Sequence, residues 1–224
     1  MRKILLFALT AVLTTSCIED AEYHQIYVGG KNGSNFLVYA DQTADTLYIQ
    51  TYDSWRASYE ATWLTLSHKS EEITDGAFHT CIVPMTFQLN DTGAGRHAKV
   101  HIDSYYVAQA DVYQYPWLNV IKPAGVSPTG QSADFEKYHV TFQKELKANQ
   151  TSTPVEFTLY QDGGTIYDDA DWLTLSSEEV GKAGTYRLVA TLTPNTTGAA
   201  RTATIRLTSA GITTPIIITQ TAEQ

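Results

Sequence analysis

Apolar and polar residues alternate along most of this chain, in short runs broken by Gly, Asn, Asp and Pro. The runs "TLYIQTY", "AKVHIDSYY", "ADVYQY", "YHVTFQ", "VEFTLY", "YRLVATLT", "TATIRLTS" and "PIIITQT" are rich in Thr, Val, Ile and Tyr. That is the pattern of half-buried strands between turns. Beyond the N-terminal segment, no stretch of about twelve residues, the length of a typical helix, carries a helical apolar period. The predicted class is all-β. Each strand has one apolar face to bury, which favours a sandwich over an open sheet.

The pattern also repeats. "WLTLS" stands at Trp63–Ser67 and again at Trp172–Ser176, and further landmarks follow in the same order: Arg96 and Arg201, "AKVHI" and "ATIRL", Gln114 and Gln220. The offsets are 109 (Trp), 105 (Arg) and 106 (Gln), so the loops differ by a few residues while the order is kept. The expected architecture is two consecutive immunoglobulin-like β-sandwiches, over residues 24–122 and 130–224. The Pro-, Gly- and Ser-rich stretch around 123–129 reads as the linker. A third Trp-Leu pair, Trp117-Leu118, lacks the "TLS" continuation and is not counted as a repeat.

The N-terminus reads differently. "MRKILLFALTAVLTTSC" has two basic residues, an apolar run from Ile4 to Leu13, then small residues ending at Cys17. The run is too short to span a bilayer and has the layout of a secretory signal over residues 1–16. Ser16-Cys17 resembles the lipobox of bacterial lipoproteins, although Leu13 sits one place early and Thr14 takes its position. The resemblance implies a diacylated Cys17 and a tether over 17–23. "IED" at Ile18–Asp20 resembles the acidic signal that sends Bacteroidetes lipoproteins to the outer face of the outer membrane. The expectation is a lipid-anchored protein of the cell outer membrane, facing the exterior.

Charge then excludes one class of partner. Without Arg2 and Lys3, 13 basic residues face 24 acidic ones, a balance of 13 − 24 = −11. Such a surface repels phosphate backbones, so nucleic acid is not an expected partner. With Cys17 acylated, Cys81 is alone in "CIVPM", and the reading is a small buried hydrophobe.

The second copy, "ADWLTLSSEEVGKAGTYRLVATLTPNTTGAARTATIRLTSAGITTPIIITQTA", resembles a BACON domain, the Bacteroidetes-associated carbohydrate-binding often N-terminal module. The matching positions are Trp172–Ser176, Gly181, Tyr186–Thr191, Asn195, Arg201 and Gln220. The first copy keeps the family's earlier Ser-Trp as Ser54-Trp55, with Asn90 and Arg96 in order, but has a longer middle segment. The second copy has Gly163-Gly164 where that earlier Trp stands. The resemblance implies a tandem of such modules, with glycan binding suggested by the family's name.

Strand parity sorts the side chains. Trp63, Thr65 and Ser67 share one face while Leu64 and Leu66 share the other. The repeated Trp63 and Trp172 read as core anchors, with a sugar-stacking platform as the alternative. Arg96 and Arg201 open strands, where a carbonyl contact or ion pair is expected. Gln114 and Gln220 close strands as buried amides bonded to backbone. These are scaffold landmarks, so ligand contact is expected where the copies differ. With Ala98, Val100 and Ile102 inward, His97, Lys99 and His101 face outward, and so do Tyr113 and Tyr115, with Trp117 just beyond. That face combines aromatic rings with polar groups, as sugar sites do. The same tyrosines could instead cover the interface with the second sandwich.

Other chemistry finds little support. His97 and His101 stand about 13 Å apart along one strand, too far to chelate one metal. No G-x-S-x-G, H-E-x-x-H or phosphate loop is present. No enzyme activity, cofactor or metal is expected. Two function classes remain: a surface lipoprotein that binds glycan, mucin or polysaccharide, or adheres; and a structural spacer or protein-interaction module beside a neighbouring surface protein. A Cys17→Ser variant is expected to lose its acyl chains and leave the membrane fraction, as read by fatty-acid labelling and detergent-phase partitioning.

Overall fold

The computed structural model describes residues 24–30, 33–121, 142–177 and 179–223. The signal region, Cys17 and its tether, and the expected linker 123–129 lie outside the described residues. What is described is all-β and forms two immunoglobulin-like sandwiches.

In the first sandwich, one sheet is ordered β1 (Ile26–Gly29), β3 (Ala44–Thr51), β7 (His79–Phe87), β5 (Leu64–Leu66). The other is β2 (Asn35–Val38), β9 (Val107–Gln114), β8 (Arg96–Asp103), β4 (Trp55–Ser58), β6 (Ser70–Glu71). The second sandwich repeats this plan: β10 (Asn119–Ile121), β12 (Ser152–Leu159), β16 (Gly184–Leu192), β14 (Leu173–Leu175) face β11 (Phe142–Leu146), β18 (Ile212–Gln220), β17 (Arg201–Ser209), β13 (Gly164–Asp168), β15 (Glu179–Val180). In each, the opening strand is split. Its first part pairs antiparallel in one sheet and its second part runs parallel to the last strand of the other. That division, with two sheets packed over alternating inward residues, is the immunoglobulin plan.

Inward residues follow parity. Leu47, Ile49, Val83, Met85, Val100, Ile102 and Val112 fill the first core, and Phe157, Ala190, Ile205, Leu207 and Ile218 are among those that fill the second. Trp55 on β4 is buried between the first pair of sheets. Its counterpart on β13 is Gly164, where a Cβ would lie 2.2 Å from Leu159 Cδ1 and 2.8 Å from the Val180 carbonyl. Leu159 and Val180 occupy that space in the second copy.

"WLTLS" works otherwise than its indole suggests. The core-facing residues are its leucines, Leu64 and Leu66 in one copy, Leu173 and Leu175 in the other. Trp63 and Trp172 precede these strands in turns and are half-buried at the sandwich edge, so they are not central core anchors. Each lies under a guanidinium, Arg96 at 4.7 Å and Arg201 at 4.3 Å from the ring centroid. The same arginines donate from Nε to the buried Gln114 Oε1 (2.7 Å) and Gln220 Oε1 (2.9 Å), and from Nη2 to the carbonyls of Gln88 and Thr193.

The two sandwiches meet directly. Asn119–Ile121, expected at the end of the first sandwich, instead pairs with β12 of the second. Only four residues separate Gln114 from Asn119, and of these Tyr115, Trp117 and Leu118 are buried. They join Ala40 and Tyr113 in the same apolar cluster as the second core. Polar bonds cross the junction too: Thr214 Oγ1 accepts the Leu118 N–H (2.9 Å), and Thr43 Oγ1 accepts from Gln161 Nε2 (3.0 Å). Asp41 is fully buried there. Its Oδ2 accepts the Tyr160 N–H at 2.8 Å and the Ser209 hydroxyl at 3.0 Å, while its Oδ1 has no hydrogen-bond partner.

Burial pushes the Asp41 carboxyl above its usual range, against the lowering effect of those hydrogen bonds. A raised folded-state pKa means that the folded protein holds its proton longer, so this group's contribution is greatest below about pH 3.9 and declines as pH rises through the folded value. Asp41→Asn keeps an oxygen for the two donors and removes the charge. The variant's unfolding midpoint relative to the parent is therefore expected to rise from pH 4 to neutrality, as read by thermal unfolding across that range.

Candidate functional site

The face expected to bind glycan does not stay open. Tyr113, Tyr115 and Trp117 are buried, at 8%, 1% and 7% exposure. Parity put them on the correct side of the sheet, but the junction with the second sandwich covers that side at this end. Tyr115 stacks on Trp117 (4.7 Å), Trp117 meets Phe142 of β11 edge-on (6.2 Å), and Tyr39 packs on Tyr115 (5.4 Å). Burial drives the Tyr115 hydroxyl far above its ordinary pKa. These rings hold the sandwiches together and offer no face to a ligand.

The polar half of that face remains outside. His97 stacks on Tyr113 (4.4 Å) and contacts Asp111 Oδ1 through Nε2 (2.8 Å), while Lys99 and His101 are exposed. With Ser58, Tyr59, Glu60 and Trp63 they line a shallow depression of about 640 Å³. Both aromatic rings there already carry a cation: Arg96 over Trp63, and Lys69 Nζ at 4.4 Å over Tyr59. The structure thus separates the residues that the sequence had grouped.

A different surface of the first sandwich collects exposed apolar side chains, most of them aromatic. Tyr27, Tyr48, Phe78, Ile82, Tyr105, Tyr106 and Val107 are exposed by between 40% and 71%. Tyr27, Tyr48 and Ile82 stand on the outer face of the β1–β3–β7 sheet, where Tyr48 pairs with Ile82 and Tyr27 with Gln50. A trough of about 280 Å³ runs between them, lined by Tyr27, Val28, Gly29, Gly30, Tyr48 and Gln50. The glycines are there for packing: a Cβ on Gly30 would lie 2.3 Å from Phe36 Cε1, and one on Gly29 would meet the Gly33 backbone at 3.0 Å. Their consequence is a floor without side chains. Gln50 supplies the polar group, its amide donating to Thr80 Oγ1 (3.2 Å).

From the trough the strip continues to the tip remote from the second sandwich. Phe78 meets Tyr27 at 6.5 Å and Tyr52 at 4.8 Å. Next to Tyr52, Asp53 contacts His24 Nδ1 at 2.9 Å, and the His24 ring lies flat on Tyr105 at 3.5 Å. Tyr106 stands edge-on to Tyr105. Two clips hold the loops. Ser104 Oγ donates to the Ser54 carbonyl (2.9 Å), and Asp75 accepts the Ala77 N–H (3.0 Å) while contacting His79 Nε2 (2.9 Å). Those two contacts, the Ala77 amide first, hold the Asp75 carboxyl below its usual range.

The second sandwich uses the same lattice positions for something else. Where Tyr48 pairs with Ile82, it pairs Glu156 with Arg187 in an ion pair of 3.1 Å. Where Gln50 pairs with Thr80, it has Thr158 and Thr185. The strip is hidden in the sequence because Leu47, Tyr48 and Ile49 are three consecutive apolar residues, so alternation does not single out Tyr48 as outward. The adjacent pair Tyr105-Tyr106, inside a tight turn where Gly or Asn is usual, was the legible signal.

Comparison with known proteins finds a family similarity over part of the chain. The model described as "BACON: Putative binding domain, N-terminal" matches residues 147–221, within the second sandwich. No curated protein matches the chain. Among solved structures, a Bacteroides ovatus GH5 xyloglucanase in complex with a XXXG heptasaccharide shares 19% identity over 57% of this chain and 27% of its own, with a TM-score of 0.37. A protein from Bacteroides thetaiotaomicron solved by NMR shares 14% over 46% of this chain and 95% of its own, with a TM-score of 0.28. An immunoglobulin tandem from titin shares 8% over 90% of this chain and 97% of its own, with a TM-score of 0.26. The chain therefore spans about a quarter of the xyloglucanase.

Two substitutions separate the junction from the strip. Tyr115→Ala is expected to cost about 3–5 kcal/mol of stability, as for other buried aromatics. Tyr106→Ala is expected to cost less than about 0.5 kcal/mol. Urea unfolding of the two variants reads the difference.

Proposed function

We propose that this is a non-catalytic lipoprotein of the cell outer membrane that binds glycan through the aromatic strip of its first sandwich. The observation that carries the reading is the contrast between equivalent positions. One sandwich places the exposed Tyr48 and Ile82 where the other places the Glu156–Arg187 salt bridge, and the exposed Tyr27 where the other has Asn119. Exposed apolar rings are costly to leave in water, and a cluster rimmed by polar groups marks a binding surface. Aromatic faces stack on the C–H patches of sugars while neighbouring amides and carboxylates bond hydroxyls. Gln50, Asp53 and Asp75 stand in that second role.

The family match in the second sandwich supports carbohydrate binding in general. Both sandwiches share one topology and the same Trp, Arg, Gln and Asn landmarks, which supports reading the chain as a tandem of such modules. Anchoring through Cys17 and display to the exterior rest on the N-terminal sequence.

A second reading, a spacer or protein-docking module, is favoured by the junction. It holds the sandwiches through a continuous apolar cluster and buried hydrogen bonds, as a rigid strut requires. A glycan array with protein starting at Ile18, beside a Tyr27→Ala/Tyr48→Ala variant, decides between them. Saturable binding lost in the variant is expected. Binding that survives in the variant rejects the strip, and no binding across host and plant glycans favours the spacer.

A further inference from the structure

Resting on that reading of the strip, we infer that its ligand is a single glycan chain whose rings are free to turn relative to one another, and that it does not bind the flat face of a crystalline polysaccharide. A crystalline face presents its C–H patches in one plane, so it can stack on several aromatic rings only if those rings are coplanar. Here they are crossed. Tyr27 and Phe78 stand at 80° to one another, Tyr105 and Tyr106 at 83°, and Tyr52 and Phe78 at 48°. In either crossed pair, a plane that stacks on one ring meets the other edge-on.

The rings are also held in those orientations. Tyr105 is clamped by the flat His24 ring, which contacts Asp53, and its hairpin is tied to the neighbouring loop by Ser104. Phe78 is backed by Tyr52, and the loop that carries it is held by Asp75 on the Ala77 amide and His79. The trough is concave and glycine-floored, with Tyr27 and Tyr48 among its lining and the Gln50 amide inside it. A single chain can enter it, lay one pyranose on one ring, turn at the glycosidic bond and lay the next against a ring at a steep angle. An extended flat sheet cannot follow that path.

The test compares two physical forms of probe on the same protein. Affinity gel electrophoresis uses soluble hydroxyethyl cellulose, galactomannan and mucin; depletion from solution uses microcrystalline cellulose and α-chitin. Retardation by at least one soluble chain with no depletion by either solid is expected. Tyr27→Ala and Phe78→Ala should each weaken soluble binding by about two- to tenfold, the range of one aromatic contact, whereas Tyr27→Phe keeps it. Thermal unfolding confirms that each variant is folded. Depletion by the crystalline solids as strong as retardation by soluble chains overturns this inference and leaves the glycan reading standing. Silence with every probe overturns both. Soluble binding that neither alanine variant weakens also overturns the inference, because the crossed rings would then not be the site.

Discussion

The structure depends on one buried amide in each sandwich. Asn90 donates from Nδ2 to the carbonyls of Ala94, Gln114 and Tyr115, at 2.9, 3.3 and 3.1 Å, and accepts from Thr92 Oγ1 at 2.7 Å. Asn195 does the same for Ala199, Gln220 and Thr221, at 2.9, 3.4 and 2.8 Å, and accepts from Thr197 Oγ1 at 2.6 Å. Gln114 and Tyr115, like Gln220 and Thr221, stand where the last strand leaves its sheet, while Ala94 and Ala199 stand in the loop before the preceding strand, so each amide ties that loop to the strand end. An orphaned buried carbonyl costs about 1–3 kcal/mol, so the amide is what allows the strand to end inside the protein. Gln114 and Gln220 extend the device through Arg96 and Arg201 to Trp63 and Trp172, which close over the end as half-buried lids.

From that latch the rest follows in order. Because Asn90 holds the Tyr115 carbonyl, the chain leaves β9 along a set path, and Tyr115, Trp117 and Leu118 are delivered against the second core. The junction they form also encloses Asp41, a carboxylate whose burial is offset only in part by Tyr160 and Ser209. A charge in that position is tolerable when the geometry around it is strict, since an unpaired buried charge is among the costliest defects a fold can carry. The junction occupies one end of the first sandwich, which leaves the outer face of the β1–β3–β7 sheet and the far tip available. The aromatic strip lies there. In the second sandwich the latch is the same and holds Gln220 and Thr221 near the end of the chain.

Alternation and repetition, read along the chain, determined the all-β class, the two sandwiches and the landmarks they share, because inward residues at a period of two and a buried amide network are local requirements of every such sheet. The role of Trp63 and the true crossover at Tyr115–Leu118 were not legible, and for Tyr113 and Tyr115 the sequence left glycan contact and cover of the interface as two alternatives, of which the structure shows the second. Parity says which side of a strand a ring occupies, but whether that side meets water depends on what docks against it. The same limit explains Tyr48 and Ile82, apolar residues that stand outward between the inward Leu47 and Ile49 and the inward Cys81 and Val83, and the pairing of Asp41 with residues 119 and 168 positions away. The sequence by itself determined what must be buried within each sandwich; only the tertiary structure decided which outer face the partner sandwich covers and which is left to solvent, because that choice is made by contacts between residues remote in the chain.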